Sequence, residues 1–119
     1  MEEHPEVLSE GIVRRSGEIT PLNAADILAI VIDRFAANGI PLTSQAKGMI
    51  ARQAKQLLDD GFDYTTIIVA AVMAVRRGMP QGVHWIAADL VTARGGLRMT
   101  RREYEKALED ELEVGHGRA

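Results

Sequence analysis

The sequence contains no cysteine and few aromatic residues, which make up 4% of its 119 residues. The absence of cysteine excludes disulfide bonds and thiolate zinc sites, and a reducing cytoplasm is the simplest context for such a chain. The length of the chain predicts a single domain. With so few aromatics, we expect its core to be aliphatic. Residues 1–6 (MEEHPE) lack the basic and then apolar layout of a signal peptide. We therefore expect a soluble cytoplasmic protein.

Long apolar runs are also absent, because the longest covers only residues 67–75 (IIVAAVMAV). A membrane-spanning helix needs about 20 apolar residues, so we expect no membrane contact. The β-branched residues in this run would suit a strand. Its length, the possible N-cap Asp63 and the possible terminator Gly78 favour a helix instead. A helix that is apolar all round is normally surrounded by other helices, so the run predicts the buried centre of a bundle.

The segments around this run carry apolar residues at helical spacing, with helix start and stop signals between them. Residues 100–103 (TRRE) fit the capping box, in which a hydroxyl and a carboxylate bind each other's backbone N–H groups. The sequence thus predicts an all-α bundle of about five helices. Their expected limits are residues 24–37, residues 44 or 45 to 60, residues 64–77, residues 83–94 and residues 101–114.

Three stretches of different character are predicted along the chain. Residues 1–20 form an acidic and partly mobile segment, residues 21–114 form the helical domain, and residues 115–119 form a frayed tail. Within the first stretch, residues 11–20 (GIVRRSGEIT) contain two short β-prone pieces. A small hairpin and an irregular loop remain equally open, because an isolated two-stranded hairpin is marginal in water.

No catalytic signature is present. The three histidines, His4, His84 and His116, have no second ligand at metal-binding spacing, and the phosphate-loop and nucleophile-elbow motifs are missing. Asp59, Asp60 and Asp63 suggest a carboxylate site, but their position between two helices suits capping better. We therefore expect a protein that is not an enzyme and that has no metal or cofactor.

The charge is divided along the chain, although the net charge is only −3. Residues 34–102 contain ten Lys or Arg and four Asp or Glu, whereas the flanks together contain four and thirteen. A basic centre suits an anionic partner, and ordinary surface charge is the alternative interpretation. The clearest basic group, here called the arginine cluster, comprises Arg94, Arg98, Arg101, Arg102 and Lys106.

Two members of the arginine cluster, Arg101 and Arg102, fall in the first turn of the fifth predicted helix. Cations there oppose the helix dipole by roughly 0.3–1 kcal/mol each, whereas a phosphate would meet both side chains and the free N–H groups. The alternative is neutralisation by Asp89, Glu103 and Glu105 in surface ion pairs. A second, weaker basic group comprises Lys47, Arg52, Lys55, Arg76 and Arg77.

A duplex-reading helix-turn-helix formed by the second and third helices is excluded, because an all-apolar helix cannot be buried and also read a groove. The fourth and fifth helices remain a possible pair. Protein contact is a further possibility, with Trp85, Tyr104, Leu108 and Leu112 as candidate residues. For Trp85 a core position is slightly favoured, and for the other three packing within the fold is the default.

The middle of the chain, with Leu57-Leu58-Asp59-Asp60-Gly61, Ile67-Ile68, Ala70-Ala71, Arg77-Gly78, Pro80 and Ile86, resembles small helical domains of actinobacterial phage and mobile-element proteins associated with DNA replication. These include helicase-loader-like and DnaD-like proteins. The resemblance implies a bundle that contacts single-stranded DNA or a helicase.

Our leading hypothesis is a non-catalytic phage or mobile-element accessory protein that binds a replication or transcription component. Nucleic-acid contact would go through the arginine cluster. The alternative is a pure protein–protein module, such as a host-factor inhibitor or a homodimer, without nucleic-acid contact. The two differ in whether the arginines are free or paired with acidic side chains.

Overall fold

The computed structural model describes residues 6–8, 11–13, 19–20 and 22–117, with side chains from residue 22 to residue 113. Five α-helices account for most of this part, and the predicted all-α bundle is confirmed. The helices are α1 (Ala24–Ala37), α2 (Ser44–Asp59), α3 (Tyr64–Arg76), α4 (Val83–Ala93) and α5 (Arg101–Gly117). A single 3₁₀ turn, Pro80–Gly82, precedes α4.

Helix α3 is the centre of the bundle, as its apolar run predicted. It contacts each of the other four helices, and its buried residues are Thr66, Ile67, Ile68, Val69, Ala70, Ala71, Val72 and Ala74. The neighbouring helices each add an aliphatic stripe to this core, for example Ile27 and Val31 from α1 and Ile50 from α2. Burying apolar surface in this way is the main favourable term in folding.

The helix boundaries follow from local signals that the sequence carries. Asn23 accepts a hydrogen bond from the Asp26 N–H at 2.9 Å, and the Asp26 carboxylate accepts one from the Asn23 N–H at 3.1 Å, which makes a capping box. Thr43 caps α2 through the Ala46 N–H at 3.0 Å. Gly61 follows α2 with a φ of 91°, a left-handed conformation that favours glycine.

Asp63 occupies the N-cap position of α3, but its side chain does not bind a backbone N–H. Its carboxylate instead accepts hydrogen bonds from the hydroxyls of Thr65, at 2.8 Å, and Thr66, at 3.0 Å. The position of the cap was predicted and its bonding was not, because two threonines in the first turn compete for the carboxylate.

Three short strands form a small antiparallel sheet near the N-terminus: β1 (Glu6–Leu8), β2 (Gly11–Val13) and β3 (Ile19–Thr20). In the pairing of β2 with β3, Ile12 lies opposite Thr20 and Val13 opposite Ile19. The two β-prone pieces therefore pair as strands. The strand β1, which pairs with β2, was not predicted. The expected mobility of residues 1–20 stays a prediction, and most of them lie outside the described part.

Helix α5 packs within the fold through three side chains, Tyr104, Leu108 and Leu112, which are all buried. These three candidates for protein contact are therefore core residues, as the default interpretation of packing within the fold predicted, and α5 packs mainly against α3. Helix α5 also extends to Gly117, beyond the limit predicted at residue 114. Whether this last turn frays stays a prediction.

Ion pairs attach α5 to its neighbours along its length. The Arg34 guanidinium donates two hydrogen bonds of 3.1 Å to the Glu105 carboxylate, which joins α1 to α5. Near the other end, Arg76 Nε donates to the Glu111 carbonyl at 3.1 Å, and Arg77 lies 3.3 Å from the Glu111 carboxylate. These contacts fix α5 against α1 and α3. None of the described helices has the length and apolar content needed to cross a membrane.

Candidate anion-binding site

A cleft of about 810 Å³ opens between the loop that joins α2 to α3 and the loop that joins α4 to α5. The first loop and the start of α3 contribute residues 60–66, and the second loop and the start of α5 contribute residues 96–101. Val91 and Tyr104 complete the lining. Three of the predicted site residues, Arg98, Arg101 and Tyr104, thus lie at this cleft, which the sequence alone did not predict.

The loop between α4 and α5 is a compact turn. The Gly96 N–H donates to the Val91 carbonyl at 2.9 Å, and the Leu97 N–H donates to the Arg94 carbonyl at 3.2 Å. Arg94 folds over the turn, and its Nη2 donates to the Leu97 carbonyl at 2.7 Å. Its other terminal nitrogen, Nη1, is buried and has no partner within the described part of the chain. Arg94 therefore stabilises the loop and is not free to bind a ligand with both nitrogens.

The other members of the arginine cluster fall into two groups: side chains that interact with other residues, and side chains that have no such interaction among the described residues. Lys106 forms an ion pair with Asp110 at 3.3 Å, and Arg101 has interactions of its own. The side chains of Arg98 and Arg102 are exposed and make no hydrogen bond or ion pair to residues 22–113. The structure therefore leaves two unengaged guanidinium groups close together in sequence, on the cleft loop and the first turn of α5.

Two of the carboxylates that the alternative interpretation pairs with this cluster have hydrogen-bond partners outside it. Glu105 binds Arg34. Glu103 completes the predicted capping box, in which it accepts from the Thr100 N–H at 2.8 Å and its own N–H donates to the Thr100 hydroxyl at 3.1 Å. The hydrogen bond from the Thr100 N–H holds the pKa of Glu103 below its usual value, and the charge of Arg94 adds to this effect.

Tyr104 forms part of the wall of the cleft and is almost fully buried. Its hydroxyl has no hydrogen-bond partner among the described atoms. The Arg34 guanidinium lies 5.8 Å from the ring centroid, in cation–π range. Burial raises the pKa of Tyr104 to about 12, although the nearby charge of Arg34 opposes this rise. The phenol is therefore neutral at physiological pH.

The second basic group is dispersed over the fold. Arg76 and Arg77 bind α5, as described above, and Lys55 pairs with Asp59 at 3.5 Å within α2. Lys47 and Arg52 remain, and within the described side chains they have no ion-pair partner. These two residues therefore offer a matched comparison for the two unengaged arginines.

Trp85 is 65% exposed, so the slightly favoured core position was wrong. Its ring lies over Gly82, where a Cβ atom would stand 3.3 Å from Trp85 Cε3 and 3.7 Å from Met79. Met79 is itself 37% exposed, which makes these two side chains a small apolar patch. The adjacent His84 faces Gln53, a contact that was not predicted because it joins residues 31 positions apart.

Within the described part of the chain, no group of three or more histidine, aspartate or glutamate residues is arranged so that it could hold a metal ion. His4 and the side chain of His116 lie outside that part. Comparison with known proteins returned no matching family model, no similar curated protein and no similar solved structure.

Proposed function

We propose that this protein is a non-catalytic binding module and that nucleic acid contacts it at the arginine cluster, through Arg98 and Arg102. The main support is the absence of carboxylate partners for these two arginines among the described residues. Four other basic side chains, at positions 34, 55, 77 and 106, are ion-paired. Exposed and unpaired guanidinium groups suit phosphate oxygens, which they bind with two parallel hydrogen bonds.

The position of Arg102 adds to this argument. It lies in the first turn of α5, where a cation opposes the helix dipole, and its side chain has no ion-pair partner among residues 22–113. An arriving phosphate would remove this unfavourable interaction. The wider role, as an accessory protein that binds a replication or transcription component of a phage or mobile element, is supported by the sequence resemblance of residues 57–86 alone.

The test is fluorescence anisotropy with labelled single- and double-stranded oligonucleotides. The variant Arg98→Glu with Arg102→Glu should lose binding and keep the fold, because both side chains are exposed and have no partner among the described side chains. The matched control is Lys47→Glu with Arg52→Glu, which changes the net charge equally on another helix. Binding that falls equally in both variants would show general charge attraction, and full affinity in a folded Arg98/Arg102 variant would refute the site.

A second candidate function, a protein-binding module without nucleic-acid contact, is favoured by the exposed patch of Trp85 and Met79. Exposed tryptophan is enriched at the centres of protein interfaces. In a homodimer, the Trp85→Ala variant should sediment as a monomer while the wild type sediments as a dimer. A wild type that is monomeric at all concentrations would exclude the homodimer.

A further inference from the structure

The cleft has the size and the lining of a small-molecule site. Its volume of about 810 Å³ lies in the range of about 300–1,000 Å³ that is usual for such sites. Most of the lining surface is apolar, and six of the side chains that line the cleft are apolar or aromatic: Phe62, Tyr64, Val91, Leu97, Met99 and Tyr104. The walls belong to two short loops and to the helix ends beside them, and the cleft is open in the structure without a ligand.

One of these apolar side chains is poorly explained by the fold. Leu97 is 73% exposed although it is a large aliphatic residue at the cleft. Its own carbonyl and N–H are both bound within the loop by Arg94, so the loop holds Leu97 in this exposed position. A ligand body that covers Leu97 would remove apolar surface from water, which favours binding.

Charge is distributed unevenly around the cleft. Arg98 lies on the α4–α5 loop and, within residues 22–113, has no ion-pair partner. On the opposite loop stand Asp60, which is exposed, and Asp63, which accepts hydrogen bonds from Thr65 and Thr66. An anionic group would therefore be attracted at the Arg98 end and repelled at the Asp60 end.

We propose that this cleft binds a small organic anion that carries one carboxylate, sulfonate or phosphate group on an aromatic or aliphatic body. The anionic group pairs with Arg98, and the body lies against Leu97 and Phe62. A second negative group at the far end of the ligand would face Asp60 and weaken binding. This proposal does not depend on nucleic-acid binding. Because Arg98 belongs to both sites, however, the small anion would compete with nucleic acid.

The first test uses an aromatic sulfonate dye, 8-anilinonaphthalene-1-sulfonate, with the full chain. Its fluorescence should rise and saturate at one dye per chain. We expect Leu97→Ser and Arg98→Glu each to raise the dissociation constant by about tenfold or more, while Trp85→Ala and Arg52→Glu change it by less than about twofold. Circular dichroism of every variant checks that the fold is kept.

Two results would overturn the proposal: a wild type without saturable fluorescence, or a signal that is lost in Trp85→Ala and kept in Leu97→Ser.

Amide chemical shifts provide a second readout that needs no variant. On addition of dye the amides of Gly61, Gly96 and Leu97 should move, and that of Gly39, in the loop between α1 and α2, should not. Shifts confined to Gly39 or to the Trp85 region would contradict the site. Octanoate should displace the dye better than inorganic phosphate, which lacks an apolar body.

Discussion

The substitution Val72→Asp tests the central position of α3 directly. Val72 is fully buried, in a helix that contacts α1, α2, α4 and α5, so a carboxylate at this position would have no route to water. The penalty for burying an unpaired charge is several kcal/mol even after the structure relaxes. Since a domain of this kind has a total stability of about 5–15 kcal/mol, we expect Val72→Asp to be unfolded or nearly so at neutral pH.

A graded variant separates the effect of charge from that of lost volume. Val72→Ala removes two buried carbon atoms, and at about 0.8 kcal/mol for each, with an added cavity term, it should cost about 2 kcal/mol and leave a cooperative transition. Ala88→Asp puts the same carboxylate on an exposed position of α4 and should lower stability by only about 0.7 kcal/mol, through the lower helix propensity of aspartate.

The assay is urea unfolding followed by circular dichroism at 222 nm. The expected order of stability is wild type, then Ala88→Asp, then Val72→Ala, then Val72→Asp. A Val72→Asp variant with a cooperative transition close to that of the wild type would refute the placement of α3 at the centre of the core.

Further predictions concern α5 and its contacts. Leu108→Ala should lower the free energy of unfolding by about 2–5 kcal/mol in urea titrations, because the side chain is 1% exposed, and a loss below about 0.5 kcal/mol would mean that α5 is not packed as described. Thr100→Ala should cost about 1 kcal/mol through the loss of the cap, whereas Thr100→Ser should retain most of it. The pKa of Tyr104 is raised from 10.0 to about 12, because the folded state favours the neutral phenol. The stability that the buried neutral phenol contributes is therefore complete below pH 10 and is lost as the pH rises through 12. Absorbance titration at 295 nm should therefore show an ionisation near pH 12 that is absent in Tyr104→Phe, and a wild-type curve that matches the variant would contradict the burial of this phenol.

The apolar pattern predicts the fold well because burial and helix punctuation are local properties of the sequence. The nine-residue run 67–75 has no polar face, which requires surrounding helices, and Asn23, Thr43 and Thr100 each mark a helix start. The pairing of the strands was harder to predict from the sequence, because short strands depend on pairing between segments and not on the periodicity of one segment.

The candidate site was only partly predictable. The sequence identified the arginine cluster but not the partners of its members. It could not show that Arg94 binds the Leu97 carbonyl. It also could not show that Glu105 binds Arg34, because these residues are 71 positions apart. The cleft was not predicted for the same reason, because its two walls come from loops about 35 residues apart in the sequence. The core position expected for Trp85 was wrong because the general tendency of tryptophan to be buried does not determine where a particular tryptophan lies on its helix.

The salt dependence of oligonucleotide binding tests the proposed function most directly. Each phosphate contact contributes about −0.9 to the slope of log affinity against log salt for duplex DNA. Replacing Arg98 and Arg102 by glutamine should therefore make the slope shallower by about 2, while glutamine at Lys47 and Arg52 should leave it unchanged. Equal slopes in the wild type and the Arg98/Arg102 variant, or no binding by the wild type at about 50 mM salt, would contradict the account.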